Sequence, residues 1–181
     1  ILNKTELTEM TLVRVNKDNL DEYEEFIKKH PKGLFQHSSK WAKVKSAWKF
    51  EAIMLKNDSG EIKGSAAVLI RSIPIIKNSL MYCCRGFVCD ENDFDTFDKL
   101  FNGLIELGKE YKAYCIKIDP EIVIQNEAYK KHLIESGFIE LNPGCMDFEN
   151  VQPRFVYCFD YNGMNEDELM LTFKPDYRNR I

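Results

Sequence analysis

The 181-residue sequence has no apolar run of membrane-spanning length. Its longest, around Ala66 to Ile76, is broken by Arg71, Ser72 and Pro74, whereas a spanning helix needs roughly 20 consecutive apolar residues. The start, Ile1-Leu2-Asn3-Lys4-Thr5-Glu6, shows no apolar stretch behind a basic segment, so no secretory leader is read there. It lacks an initiating Met, and Ile1 is not expected to be the natural start. No Cys-x-x-Cys occurs, and the three histidines, His30, His37 and His132, are scattered; no metal site is expected from such spacing. There is no Walker loop, no dinucleotide fingerprint and no Ser or Cys at a telling distance from a histidine. Internal repeats, low-complexity tracts and linkers are also missing.

What is present is ordinary globular composition, 44% hydrophobic and 30% charged, which excludes disorder and suffices for one filled core. The net charge of −4 argues against a general nucleic-acid binder. Charge is uneven, however. Phe26 to Phe50 holds seven lysines (28, 29, 32, 40, 43, 45 and 49) and no acid, while Asp90 to Asp98 holds five acids. The acids suit the opening turn of a helix; the lysines form either a solvated face or an anion site. Cys83, Cys84, Cys115 and Cys158 lie in apolar, strand-like runs and read as reduced core thiols of a cytoplasmic protein.

Periodicity and punctuation predict a strand over 11–15, a helix from Asp18-Asn19 to His30 and a short helix capped by Ser38 or Ser39. In that short helix Trp41 and Val44 face the core. Strands follow over 50–56, 62–73 and 79–84, then a helix over 94–111. The apolar run 113–118 reads as a central strand. A helix over 126–136 ended by Gly137, with His132 exposed on it, precedes two closing strands over 138–141 and 154–160. A last helix over 165–173 carries Asn165 as cap and Glu168 three residues on. The order predicts an α/β (α+β) fold: a mixed, largely antiparallel sheet flanked by helices, as in the N-acetyltransferase (GNAT) superfamily.

Three places carry candidate chemistry. Asp119 follows an apolar strand at its C-terminal edge, where open α/β sheets bind ligands, and Pro120 holds it extended. It reads either as a turn or cap residue or as a carboxylate that binds or deprotonates an amine. Alternation sets Tyr114, Ile116 and Ile118 on one face and Cys115, Lys117 and Asp119 on the other. Lys45 stands one helical turn beyond Trp41, so a lysine should border any groove that Trp41 lines; an ammonium there suits a diphosphate. Arg85-Gly86 leaves a strand end where glycine permits close backbone approach. An acetyl-CoA enzyme of GNAT type would show Gln/Arg-x-x-Gly-x-Gly/Ala at that point. The chain has Cys84-Arg85-Gly86-Phe87-Val88-Cys89 followed by acids, which argues against acetyl-CoA.

An ordered set of motifs resembles the FemABX family of peptidoglycan-bridge aminoacyltransferases. The matches are Gln36, Ser38, Trp41, Ala42, Val44 and Lys45; Tyr82, Arg85 and Gly86; Ile118-Asp119-Pro120-Glu121-Ile122; and Gln152-Pro153-Arg154. Arg178 and Ile181 match a final helix. Cys84 and Phe87 stand where the family commonly has proline. The resemblance implies a first GNAT-like domain over 1–173, with 174–181 leading toward a second domain. It also implies transfer of an amino acid from aminoacyl-tRNA, bound through that second domain, to the stem-peptide amine of a peptidoglycan precursor. The precursor is UDP-MurNAc-pentapeptide or lipid II. By the same resemblance Lys45 and Arg178 bind the precursor diphosphate, with Trp41 and Arg85 lining the site, and Tyr114 and Asp119 border the acceptor, Asp119 being the candidate catalytic residue. No cofactor is expected. The protein would be cytoplasmic, peripheral at the inner membrane face, and the chain alone inactive. The alternatives are a non-catalytic precursor-binding module and an acetyl-CoA-dependent N-acyltransferase.

Overall fold

The computed structural model describes residues 9–75, 77–123, 125–141, 159–161 and 163–179. These fall into two units, Ile1–Glu140 and Leu141–Ile181. The first is built on β1 (Met10–Arg14), α1 (Leu20–Lys29), a 3-10 turn (Phe35–His37), α2 (Ser39–Val44), β2 (Lys49–Asn57), β3 (Ile62–Ile73) and β4 (Asn78–Cys83). It continues with α3 (Phe94–Glu110), β5 (Ala113–Ile118) and α4 (Glu127–Glu135). The sheet order is β1-β2-β3-β4-β5. The first three pairings are antiparallel and β4–β5 is parallel, with α3 as the crossover.

Strand alternation divides the core. Ile53, Leu55, Val68, Ile70, Met81 and Cys83 pack with Phe97, Leu100, Leu104 and Leu107 of α3 and Tyr129 of α4. The intervening Ala52, Met54 and Ala67 pack with Tyr23 and Ile27 of α1. The i, i+3, i+4, i+7 spacing of those helical residues produces this burial. Several ends are chemically marked. Ser38 caps α2, accepting from Lys40 N–H, Asp93 caps α3, accepting from Thr96 N–H, and Asn126 caps α4, accepting from Tyr129 N–H. The second unit holds α5 (Glu166–Thr172), closed by the expected Asn165–Glu168 capping box, and α6 (Pro175–Arg178).

The GNAT-like arrangement is as expected, but five details differ. Among the described residues β5 is the edge strand, not a central one. Its Ile116 and Ile118 pack on the α3 core, while Tyr114 and Cys115 are exposed. An edge strand covered on one face carries nearly the same apolar run as a central strand. Cys115 is accordingly a surface thiol, whereas Cys83, Cys84 and Cys89 are buried. Val44 is exposed and Trp41 only half-buried, because the six-residue α2 buries no residue in the core. Residues 138–141 form no strand: Phe138 packs on the core, but Ile139 and Leu141 stay exposed. His132 is half-buried, stacked on Phe94 with ring centroids 4.3 Å apart and bonded to Asp98 at 2.7 Å. Cys145, Gln152–Arg154 and Cys158 lie outside the described residues, as does the expected strand through residue 158; Phe159 and Asp160 are in no regular element.

A polar cluster ties α3 back to the sheet. Glu51 of β2, 8% exposed, accepts from Arg14 Nε at 2.9 Å and from the Tyr111 hydroxyl at 2.5 Å. Lys49 Nζ lies 3.0 Å from it, and Arg14 also reaches Glu110 at 2.9 Å. Burial alone would raise the Glu51 pKa, but the hydrogen bonds from Arg14, Tyr111 and Lys49 outweigh it and hold the group at about 2. A carboxyl depressed below its unfolded value stabilises the fold fully above about pH 4.5, and that contribution is lost as pH falls toward 2. Glu51→Gln is therefore expected to lower stability at pH 7 by an amount on the order of 2–3 kcal/mol. It should also flatten the pH dependence between 4.5 and 2, read from urea midpoints across that range.

Candidate functional site

The parallel β4–β5 pair brings two chain segments off one edge of the sheet. Cys83 is paired with Ile118, so Cys84-Arg85-Gly86 and Asp119-Pro120 emerge side by side. The first segment is a tight turn: Gly86 N–H donates to the Cys83 carbonyl at 3.3 Å. Arg85 and Gly86 both have positive φ, 60° and 76°, a conformation that disfavours arginine. The strained Arg85 N–H donates to Asp119 Oδ1 at 2.8 Å. Gly86 is required by contact as well as by conformation, since a Cβ there would lie 2.9 Å from Pro120 Cβ and 3.0 Å from Pro120 Cα.

Asp119 is largely withdrawn from solvent. Its Oδ2 is buried and has no hydrogen-bond partner among the described residues. Burial pushes its pKa up, opposed by the Arg85 N–H and by the nearby Tyr82 hydroxyl. The Tyr82 hydroxyl is itself buried without a partner in hydrogen-bond geometry. Burial, the Cys84 thiol and Asp119 all drive the phenol's pKa upward. Two converging, under-satisfied polar groups at a strand edge are an arrangement completed by a ligand or water.

Trp41 and Lys45 approach from α2. Lys45, the C-cap of α2, sets its ammonium 5.1 Å from the Trp41 ring centroid, a cation–π distance. Phe35 meets the same ring edge-on at 5.1 Å. Burial pushes the Cys84 thiol pKa up, and the charges of Asp119, Arg85 and Lys45 all reach it; of these three, Arg85 and Asp119 are in direct contact through the Arg85 N–H. Tyr114 is not beside Asp119. It is exposed near the start of β5, five residues and about 16 Å of strand from Asp119 at ~3.3 Å per residue. Tyr82, on the adjacent strand, takes the position beside Asp119. Arg178 sits half-buried on α6 of the second unit.

Two contributors were not selected from sequence. His37, in the 3-10 turn, is 1% exposed. Its Nδ1 accepts from Leu34 N–H at 3.0 Å, which places the ring proton on Nε2, facing the backbone of Cys84 and Gly86. Its signal was a histidine inside the Gln36–Ser38 motif. Lys32 ion-pairs with Glu91 and donates to the Glu121 carbonyl at 2.6 Å, and Asn126 joins Glu91 at 2.9 Å. That network pins the segment after Asp119, and nothing in local spacing signals it.

The FemAB family model matches residues 19–181. A lipid II:glycine glycyltransferase of Staphylococcus epidermidis is 32% identical over 165 residues, covering 88% of this chain and 39% of that protein. The lipid II:glycine glycyltransferase of Staphylococcus aureus is 29% identical over 168 residues, covering 88% and 38%. The chain thus spans about two fifths of the length of these curated relatives. The crystal structure of FemX superposes with a TM-score of 0.73 at 27% identity, over 94% of this chain and 42% of that one. An aminoglycoside N-acetyltransferase in complex with CoA superposes at 0.55 with 17% identity, over 83% and 97%; at that identity the likeness is one of GNAT fold alone.

Gly86→Ala combines positive φ with the Pro120 contact and should destabilise by about 1–3 kcal/mol, measured by urea unfolding. His37 gives a pH signature. Burial holds its folded pKa down to about 4, against about 6.5 unfolded, so its contribution is full above pH 6.5 and lost as pH falls to 4. His37→Gln should remove up to about 3 kcal/mol of that acid-dependent loss, seen as a flatter stability curve over that window.

Proposed function

The chain belongs to the FemAB family, and from that premise we propose that it carries the precursor-binding part of a tRNA-dependent aminoacyltransferase that builds the peptidoglycan interpeptide bridge. The observation that carries the reading is a buried, under-satisfied carboxylate at the C-terminal edge of a parallel strand pair; the lysine over a tryptophan on α2 supports it. Lys45 binds the diphosphate of the precursor as a point charge, Trp41 supplies an apolar wall, and Arg85 lines the same groove. Asp119 receives the stem-peptide amine. Arg178, the other residue that the resemblance assigns to the diphosphate, is carried on α6 of the second unit.

In the transfer, the stem-peptide amine attacks the ester carbonyl that joins an amino acid to the tRNA ribose. The C–N bond forms, the C–O bond to the ribose breaks, and the amine must lose a proton. A carboxylate made more basic by burial is suited to hold that ammonium and to draw off its proton. Aminoacyl-tRNA would bind beyond the first unit, with residues 174–181 leading there. The work would be done in the cytoplasm, at the membrane face if the acceptor is lipid-linked. No described helix is long and apolar enough to cross a membrane.

An acetyl-CoA reading meets a specific obstacle. A CoA pyrophosphate would be drawn to a free helix N terminus, and the one at hand is that of the helix after β4. Here Asp93 occupies that end of α3, accepting from Thr96 N–H at 3.0 Å, with Asp90 and Glu91 just before it. A pyrophosphate would meet three carboxylates.

Calorimetric titration with UDP-MurNAc-pentapeptide beside acetyl-CoA tests the proposal. Saturable binding of the precursor alone supports it, and binding of acetyl-CoA alone overturns it. Lys45→Ala should weaken the precursor by about 1–2 kcal/mol, roughly tenfold, with the melting temperature unchanged because Lys45 is exposed. Unaltered affinity would remove Lys45 from the site.

A further inference from the structure

Positive charge is segregated on the first unit. Ten of its lysines are ion-paired where they stand, six of them by neighbours on their own helix. Lys40, Lys43 and Lys45 around α2, and Arg71 and Lys77 at the β3–β4 hairpin, make no ion pair among the described residues, nor do the more scattered Lys17, Lys112 and Lys117. The stretches that carry the α2 and hairpin cations hold no acid at all, from Phe26 to Phe50 and from Ile62 to Cys89. These stretches meet in space. The Arg71 guanidinium lies 5.7 Å from the Trp48 ring centroid, and Trp48 N–H donates to the Lys45 carbonyl at 2.8 Å. The carboxylate that reaches α2, Glu24, is engaged by the Ser38 hydroxyl and Ser39 N–H, both at 2.8 Å.

Apolar side chains on and beside these elements are exposed too. Ile75, at the hairpin tip, is 93% exposed, Val44 69% and Phe35 64%. Basic residues interleaved with exposed Ile, Val and Phe match the chemistry of an anionic bilayer surface. Apolar groups enter the headgroup boundary and the cations meet the negative potential. The two most exposed of these side chains, Ile75 and Val44, are aliphatic and offer no stacking face to a nucleobase, whereas a single-stranded nucleic-acid platform is built on aromatic rings. We propose that α2, the Lys45–Trp48 turn and the β3–β4 hairpin form a docking surface for an anionic lipid bilayer. It lies beside the Trp41–Lys45 groove, so a diphosphate held at a membrane surface would enter the groove without leaving the headgroup layer. That last point rests on the proposed function; the docking itself does not.

Sedimentation of the purified protein with vesicles tests it, using phosphatidylcholine alone and phosphatidylcholine with phosphatidylglycerol, at low and high salt and with no precursor present. The expected result is retention only on the anionic vesicles, falling as salt screens the surface. Ile75→Asp and the double change Lys43→Glu, Lys77→Glu should each weaken it at least about fivefold. Lys131→Glu, on α4, shifts net charge without touching the surface and should leave retention unchanged. All these positions are exposed, and matching melting temperatures confirm folded variants. No retention on anionic vesicles, equal retention on zwitterionic ones, or retention indifferent to the Ile75 and lysine changes overturns the proposal. Capture by bulk tRNA in place of vesicles, lost in the same variants, overturns it in favour of a nucleic-acid face. Because the vesicles lack precursor, failure here leaves the Lys45 titration standing, and failure of that titration leaves this result standing.

Discussion

The constraint on which the site depends is the parallel pairing of β4 with β5. Antiparallel neighbours would send their C-terminal ends to opposite edges of the sheet. A parallel pair joined through α3 delivers both to one edge, and only then can Arg85 N–H and the Asp119 carboxylate meet. The bond does two things. It satisfies one carboxylate oxygen inside a half-buried turn, and it holds arginine in a backbone conformation that arginine disfavours. Strain at Arg85 is sustained because Asp119 accepts from its N–H and Gly86 closes on Pro120. The turn is held from both sides, whereas the second oxygen of Asp119 is left open.

Much of this was legible in the residues, for identifiable reasons. Helices α1, α3, α4 and α5 carry long apolar faces or explicit caps such as Asn126 and Asn165, and these signals are local. The meander β2–β3–β4 is punctuated by Asn57-Asp58-Ser59-Gly60, which no other element would tolerate. What failed was non-local. Whether 113–118 is central or at an edge depends on what lies beside it, and its composition is the same either way. Tyr114 and Tyr82 illustrate the point at side-chain scale. Strand register, not spacing along one strand, decides which tyrosine stands beside Asp119, and register crosses the α3 connection. The Lys32–Glu91–Asn126 network joins residues 35 and 59 positions apart, beyond any local pattern.

The buried polar groups split into two kinds with opposite uses. Glu51 is fully engaged by Arg14, Tyr111 and Lys49, so its charge is retained and its pKa falls to about 2. Asp119 has one strong donor and one open oxygen, so burial prevails and its pKa rises. The same side-chain chemistry thus yields a satisfied structural brace on β2 and an under-satisfied carboxylate after β5; the number of donors supplied decides which. A site poised to accept a ligand is recognisable by that deficit.

The start of α3 shows how a fold can be kept while its use changes. The helix retains its length and its place behind β4, and CoA-bound acetyltransferases align over most of the chain. Yet its N terminus, where a phosphate would otherwise be attracted, is closed by the Asp93 side chain. With that anion site occupied from within, unpaired positive charge remains on α2 and the neighbouring hairpin, on the other side of the strand edge. Lys45 is the member of that group whose charge reaches the Cys84 thiol. Ion pairing in place engages ten lysines, and the three lysines of the α2 region are among the cations left with field to spare for an anionic ligand.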